Sequence, residues 1–229
     1  MYCIAKKKGS PFIHKMSLGY SIFKLELVLV SLKKFSKMVS ISDIIQQRRT
    51  IDPDTFNGKI IPDTVINNML EATNWAPNHG HTEPWDFIVF KGEDCKEFGK
   101  IHAELYKNNT PKEHFLEKKY DKLLHRADLC SHVIICTNKR SNSKNIPDLE
   151  EICATSAAIQ NLLLAAEANG VATFWSTGGM THHNAFKVYF NYTEQDTVLG
   201  VIYTGYTEQP IPEGKRNTDY TAKVYYYNQ

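Results

Sequence analysis

The sequence predicts an α+β fold, a central sheet with helices packed around it. Two observations carry this. Segments with helical apolar spacing outnumber the short β-rich runs, and the two do not alternate as regular βαβ units. At 229 residues the chain is also long enough to bury one full core.

The first helix is read from Ile41 to about Arg49. Ser40 or Ser42 can cap it, and Ile41, Ile44 and Ile45 form an apolar stripe. It stops in the Thr-Ile-Asp-Pro run that begins at Thr50, and Asn57-Gly58 marks a turn. Pro62-Asp63 opens a second helix, with Val65, Ile66, Met69, Leu70 and Thr73 at helical spacing. It ends near Asn74-Trp75. An apolar strand follows from Trp85 to Phe90, and Lys91-Gly92 turns the chain. Residues 93–107 and 111–128 read as two charged surface helices. Ser131 to Thr137 reads as a short buried strand, and 138–147 as loop.

Asp148 to Asn169 is the longest helix. Ile152, Ile159, Leu162, Leu163 and Ala166 form its apolar face. Ala154, Ser156, Ala157 and Ala158 are small enough for another helix to approach closely. Gly170 is a natural stop. Val171 to Trp175 is a strand, Ser176-Thr177-Gly178-Gly179 a flexible turn, and His183 to Phe190 a helix. The last strand is Val198 to Tyr206. A tail rich in Pro, Gly and Tyr closes the chain.

Charge divides the chain unevenly. Residues 1–38 hold eight lysines and one acid, Glu26, whereas 39–229 hold 19 basic and 24 acidic residues. The body is mildly acidic and lacks a basic stripe, which argues against nucleic-acid binding. We read residues 1–37 as a Lys-rich leader and 38–229 as one domain. Residues 1–18 are expected to be disordered or poorly packed. The apolar run Tyr20 to Leu32 contains Lys24 and Glu26 and is too short to span a membrane. The leader has three readings: an organellar targeting segment, an arm on a partner subunit, or an extension upstream of a true start at Met38. A cytoplasmic location is expected for the body. The five cysteines form no C-x-x-C pair, so neither zinc nor a disulfide framework is suggested, and no metal site is expected.

Four segments could carry chemistry. Residues 76–87, Ala-Pro-Asn-His-Gly-His-Thr-Glu-Pro-Trp-Asp-Phe, combine proline rigidity, a glycine and hydrogen-bonding side chains, as a loop facing a flat polar ligand requires. A helix-to-strand connection with satisfied histidines is the plainer alternative. Arg48-Arg49-Thr50 offers two forked cations beside a hydroxyl, a set suited to a phosphate monoester. Basic residues at a helix C-terminus are also favoured by the macrodipole alone. Lys215-Arg216 follows a glycine in a loop and suits phosphate or simply solvent. The Trp175–Gly179 turn could present backbone amides to a ligand edge, or be a tight turn beside a core Trp. No G-x-G-x-x-G fingerprint, Walker lysine loop or G-x-S-x-G elbow occurs.

Taken in order, these motifs resemble the short branch of the FMN-dependent nitroreductase family. The landmarks span about residues 40–215: the Arg-Arg-Thr near the start, the Ala-Pro-x-His…Glu-Pro-Trp loop, the long Ala-rich helix ending in Gly, the Trp-Ser-Thr-Gly turn, and the last strand. The resemblance implies a mainly antiparallel sheet surrounded by helices, in a homodimer with FMN at the subunit interface. It implies NADH or NADPH as co-substrate and ping-pong hydride transfer to a small-molecule electron acceptor, nitroaromatic or quinone. Arg48, Arg49 and Thr50 would hold the phosphate and ribityl chain of FMN. Trp75, His79, Trp175, Ser176 and Thr177 would approach the flavin, and Lys215 or Arg216 would complete the phosphate site. Ala166 to Val171 matches a nicotinamide-nucleotide stretch of this branch. No side chain is assigned as proton-transfer catalyst. Two departures stand out: Ser176 where Arg is common, and Glu83 where Gln is common. Rival readings are enone reduction, dehalogenation or dehydrogenation on the same scaffold, or a non-catalytic FMN-binding or redox-interaction protein.

Overall fold

A computed structural model describes residues 40–143 and 145–227. The leader, and the expectations attached to it, lie outside the described residues. Ser42–Gln229 forms one compact unit.

Among the described residues the helices and strands run in chain order: α1 (Ile41–Gln47), α2 (Asp63–Thr73), β1 (Trp85–Lys91), α3 (Glu93–Asn108), α4 (Glu117–His125), β2 (His132–Asn138), α5 (Asp148–Ala168), β3 (Ala172–Ser176), α6 (Asn184–Tyr189) and β4 (Thr197–Gly205). The four strands form one sheet in the order β1-β2-β4-β3, and every pairing is antiparallel. The α+β architecture and the antiparallel sheet are as expected.

Side-chain alternation on the central strands divides the core into two layers. Val133 and Ile135 of β2, with Val201 and Tyr203 of β4, pack with Phe98 of α3 and Phe186 of α6. Ile134 and Cys136 of β2, with Ile202 of β4, pack with Met69 of α2 and Leu162 of α5. Helices therefore cover both faces, which is why β2 is buried along its whole length. The buried thiols Cys95, Cys130 and Cys136 are free, and burial pushes that of Cys95 up to about 12. Cys153 is exposed.

Three expectations need correcting at their edges. The first helix ends at Gln47, so Arg48 and Arg49 lie beyond it, and Ile41 and Ile45 are exposed rather than packed as a stripe. The reason is long-range pairing. Thr50 forms a parallel bridge with Thr173, and Ile51 N–H donates to the Thr173 carbonyl at 3.0 Å, drawing this segment onto the β3 edge. The span 111–128 is interrupted: a 3₁₀ turn at Lys112–His114 precedes α4. The tail holds a 3₁₀ turn at Tyr220–Lys223.

The stop at Gly170 has the anticipated chemistry. With φ +68°, its N–H bonds the Glu167 carbonyl and Val171 N–H bonds that of Ala166, the two bonds of a Schellman motif. Buried Val171 then leads directly into β3. At the other end of α5, Asp148, Glu150 and Glu151 occupy the first turn, where the macrodipole favours acids. Glu151 is buried and pairs with Arg140, whose guanidinium also reaches Asp148 at 2.5 Å and the Ile146 carbonyl at 2.5 Å. One arginine thus ties the 139–147 loop to the start of α5.

Candidate functional site

The face of β3 that carries Trp175 borders a pocket of about 400 Å³. Thr173 and Trp175 line it from β3, and Thr177 from the turn beyond. Arg48 and Thr50 line it from the segment after α1, and Gln160 and Leu163 from α5. The volume falls in the range of small-molecule sites.

Arg48 is the charge of this pocket. Its guanidinium makes no hydrogen bond or ion pair among the described residues. Three threonines supply hydroxyls, and Trp175 and Leu163 an apolar wall. Trp175 is held in place: its Nε1 donates to the Leu199 carbonyl at 3.0 Å. This geometry requires a glycine at 200, because any Cβ there would fall on the indole. The register of β2 against β4 also shifts here, beside Cys136/Thr137, so the irregularity seats the indole across β4. We expect Gly200→Ala to displace Trp175 and cost about 1–3 kcal/mol, the range of core overpacking. A melting curve together with Trp175 fluorescence reads both effects. Unchanged values in the two would show that the indole has room to move.

The remaining residues singled out from sequence lie elsewhere. Arg49 turns to the tail, donating to the Pro212 carbonyl at 3.0 Å and to the Gln46 carbonyl at 2.6 Å. Gly214 packs against this guanidinium, leaving no room for a Cβ. Arg49 therefore anchors the stretch that leads to Lys215 and Arg216, both exposed and neither on the pocket. Ser176 faces the opposite side of β3, as strand alternation from Trp175 dictates. Its Oγ accepts from Gly178 N–H at 3.3 Å. Trp75 is 81 % exposed just past α2 and borders no part of the pocket. His79 is paired through Nδ1 with Glu150 at 2.5 Å, which ties the 76–83 loop to the first turn of α5.

Four of ten expected residues therefore meet: Arg48, Thr50, Trp175 and Thr177. Gln160 was not singled out from sequence, and Leu163 was read only as part of the apolar face of α5, although their i, i+3 spacing places them side by side on that helix. Among the described residues no cluster of His, Cys, Asp and Glu could hold a metal ion, and no helix is long and apolar enough to cross a membrane.

Comparison with known proteins agrees with the fold. Residues 45–206 match the model of the nitroreductase family. The Bacillus subtilis protein named "Putative NAD(P)H nitroreductase YfhC" is 29% identical over 177 residues, covering 77% of this chain and 88% of that protein. A nitroreductase-like family protein from Bacillus cereus superimposes with a TM-score of 0.73 at 27% identity, covering 85% of this chain and 99% of the other. A shorter stretch of 54 residues is 37% identical to rat iodotyrosine deiodinase 1, covering 24% of this chain and 18% of that protein. With a family match over residues 45–206, most of its length, this chain belongs to the nitroreductase family.

Proposed function

We propose that the protein is an FMN-dependent oxidoreductase that uses NADH or NADPH to reduce small acceptors such as nitroaromatics and quinones. The observation that carries this reading is the unpaired Arg48 guanidinium in a pocket with Thr50, Trp175 and Thr177. A free forked cation beside hydroxyls fits a phosphate monoester, and the indole beside Leu163 fits a flat ring system. The donor set thus suits FMN. The chemistry supplied when FMN is bound is hydride exchange between a nicotinamide nucleotide and an acceptor.

The chain's own residues have positioning roles. Arg48 neutralises phosphate charge. Thr50, Thr173 and Thr177 offer hydroxyls to the polar chain. Trp175, fixed on the Leu199 carbonyl, provides a wall that does not have to be ordered on binding. No side chain of the pocket is a general acid or base, and none is required for hydride transfer.

A homodimer belongs to this proposal. Trp75 is a large apolar side chain at 81 % exposure, and it and His79 stand off the Arg48 pocket of their own chain. In a dimer Trp75 is free to wall the pocket of the second copy, with His79 held by Glu150. Light scattering is expected to give twice the chain mass, and Trp75→Asp to give monomers with little flavin. A monomer that binds FMN tightly would contradict the shared site.

The direct test is optical. The protein mixed with FMN and desalted should keep flavin absorbance and lose it under anaerobic NADH or NADPH. Absence of retained flavin overturns the proposal, and flavin that neither nucleotide bleaches favours a non-catalytic binding protein. The match to iodotyrosine deiodinase 1 supports a second reading, reductive dehalogenation. Iodotyrosine assayed beside a nitroaromatic acceptor separates the two.

A further inference from the structure

On the far side of β3 from Trp175 lies a second pocket, of about 240 Å³. Phe174 and Tyr203 form its apolar wall, and Ser176 and Gly179 its edge. Three cations border it, Lys119, Lys122 and Arg126, and no carboxylate does. Their spacing of three and four residues puts Lys119 and Lys122 on one face of α4 and Arg126 on the same side, at the C-cap just after His125.

Arg126 decides the chemistry. Its side chain is only 9% exposed. The guanidinium carbon lies 4.5 Å from the Phe174 ring centre and 5.8 Å from that of Tyr203. Its nitrogens make no hydrogen bond among the described residues. The nearest carboxylate, Asp52, stands 3.9 Å away, beyond hydrogen-bond reach. The helix macrodipole explains a cation at this helix end. It does not explain a side chain this deeply packed whose donor fork makes no hydrogen bond among the described residues. Lys122 and Lys119 add uncompensated charge: neither is ion-paired among the described residues, and Lys119 Nζ lies 4.5 Å from the Tyr106 ring centre.

The floor is preorganised. His102 Nε2 accepts the Met180 N–H at 2.8 Å, which fixes the turn after β3. Gly179 is required there, with φ +70° and a Cβ position only 2.5 Å from that nitrogen. Accepting through Nε2 leaves the proton of neutral His102 on Nδ1, which is buried without a partner.

We propose that this pocket is a second ligand site, distinct from the Arg48 pocket, that takes a small oxyanion on the Arg126 fork with Lys119 and Lys122 at its rim. Its volume is below that of drug-sized sites, so a single phosphate or a small carboxylic acid fits better than a nucleotide. The aromatic wall allows the anion to carry a flat apolar group.

Calorimetric titration of the full-length protein with inorganic phosphate and with benzoate tests this. Wild type, Arg126→Met, the Lys119→Gln/Lys122→Gln pair and Arg48→Ala are compared. At least one probe should bind, about tenfold or more weakly in Arg126→Met and measurably more weakly in the lysine pair. Arg48→Ala should leave at least one Arg126-dependent binding event intact, which separates this site from failure of the flavin reading. Preference for phosphate identifies a phosphoryl ligand, and preference for benzoate an aromatic acid. Should Arg126→Met not fold, the lysine pair decides, since both side chains are exposed. The proposal is overturned if neither probe binds wild type, if affinity is unchanged in the lysine pair, or if Arg48→Ala alone abolishes all binding.

Discussion

Arg48→Ala is expected to strip the protein of FMN while leaving it folded. The Arg48 guanidinium has no hydrogen-bond or ion-pair partner among the described residues, so its loss orphans no acceptor there and costs the fold little. What disappears is a charged donor to phosphate, worth about 1.5–3 kcal/mol, or roughly ten- to a hundredfold in flavin affinity. Arg49→Ala should behave in the opposite way. That guanidinium holds the carbonyls of Gln46, Arg48 and Pro212, so its removal should loosen the tail and lower the melting temperature. The ratio of flavin to protein absorbance after gel filtration, set beside a thermal melt, distinguishes them. Flavin retained by Arg48→Ala and lost by Arg49→Ala would move the phosphate site to the tail.

Acid should destabilise the protein well before its carboxylates titrate. His102 is 2% exposed between Phe98, Phe186 and the turn after β3. Burial, and secondarily the charge of Lys119, lowers its pKa from 6.5 to about 4. Below pH 6.5 the unfolded chain takes up a proton here that the native protein refuses until about pH 4. Stability is therefore fully present above pH 6.5 and falls as pH drops through this window, by about 3 kcal/mol at its lower end. His132, also lowered by burial first, acts in the same sense. Urea unfolding at several pH values measures the slope. His102→Gln keeps an acceptor for Met180 N–H and should flatten it. An equal slope in wild type and His102→Gln would place the acid sensitivity elsewhere.

Much of the fold was legible because it rests on local chemistry. The 3.6-residue spacing of α5, the Gly170 stop and the apolar runs of β2 and β4 each follow from residues near in sequence. Motif order also pointed to the family, and with it to Arg48, Thr50, Trp175 and Thr177. Which side each residue faces was decided by tertiary structure. The bridge of Thr50 to Thr173 ended α1 early and brought Arg48 to β3, a pairing across more than a hundred residues that no local pattern encodes. Alternation along β3 then sent Ser176 away from Trp175, although the two are adjacent in the motif. The tail captured Arg49, while Glu150 captured His79. The same effect created the cationic pocket: Lys119, Lys122 and Arg126 read as an ordinary charged helix face until packing laid the Arg126 guanidinium against Phe174 and Tyr203. Sequence determined which elements form and which motifs exist. Long-range packing determined which side chains meet, because burial and hydrogen-bond satisfaction are properties of neighbours in space.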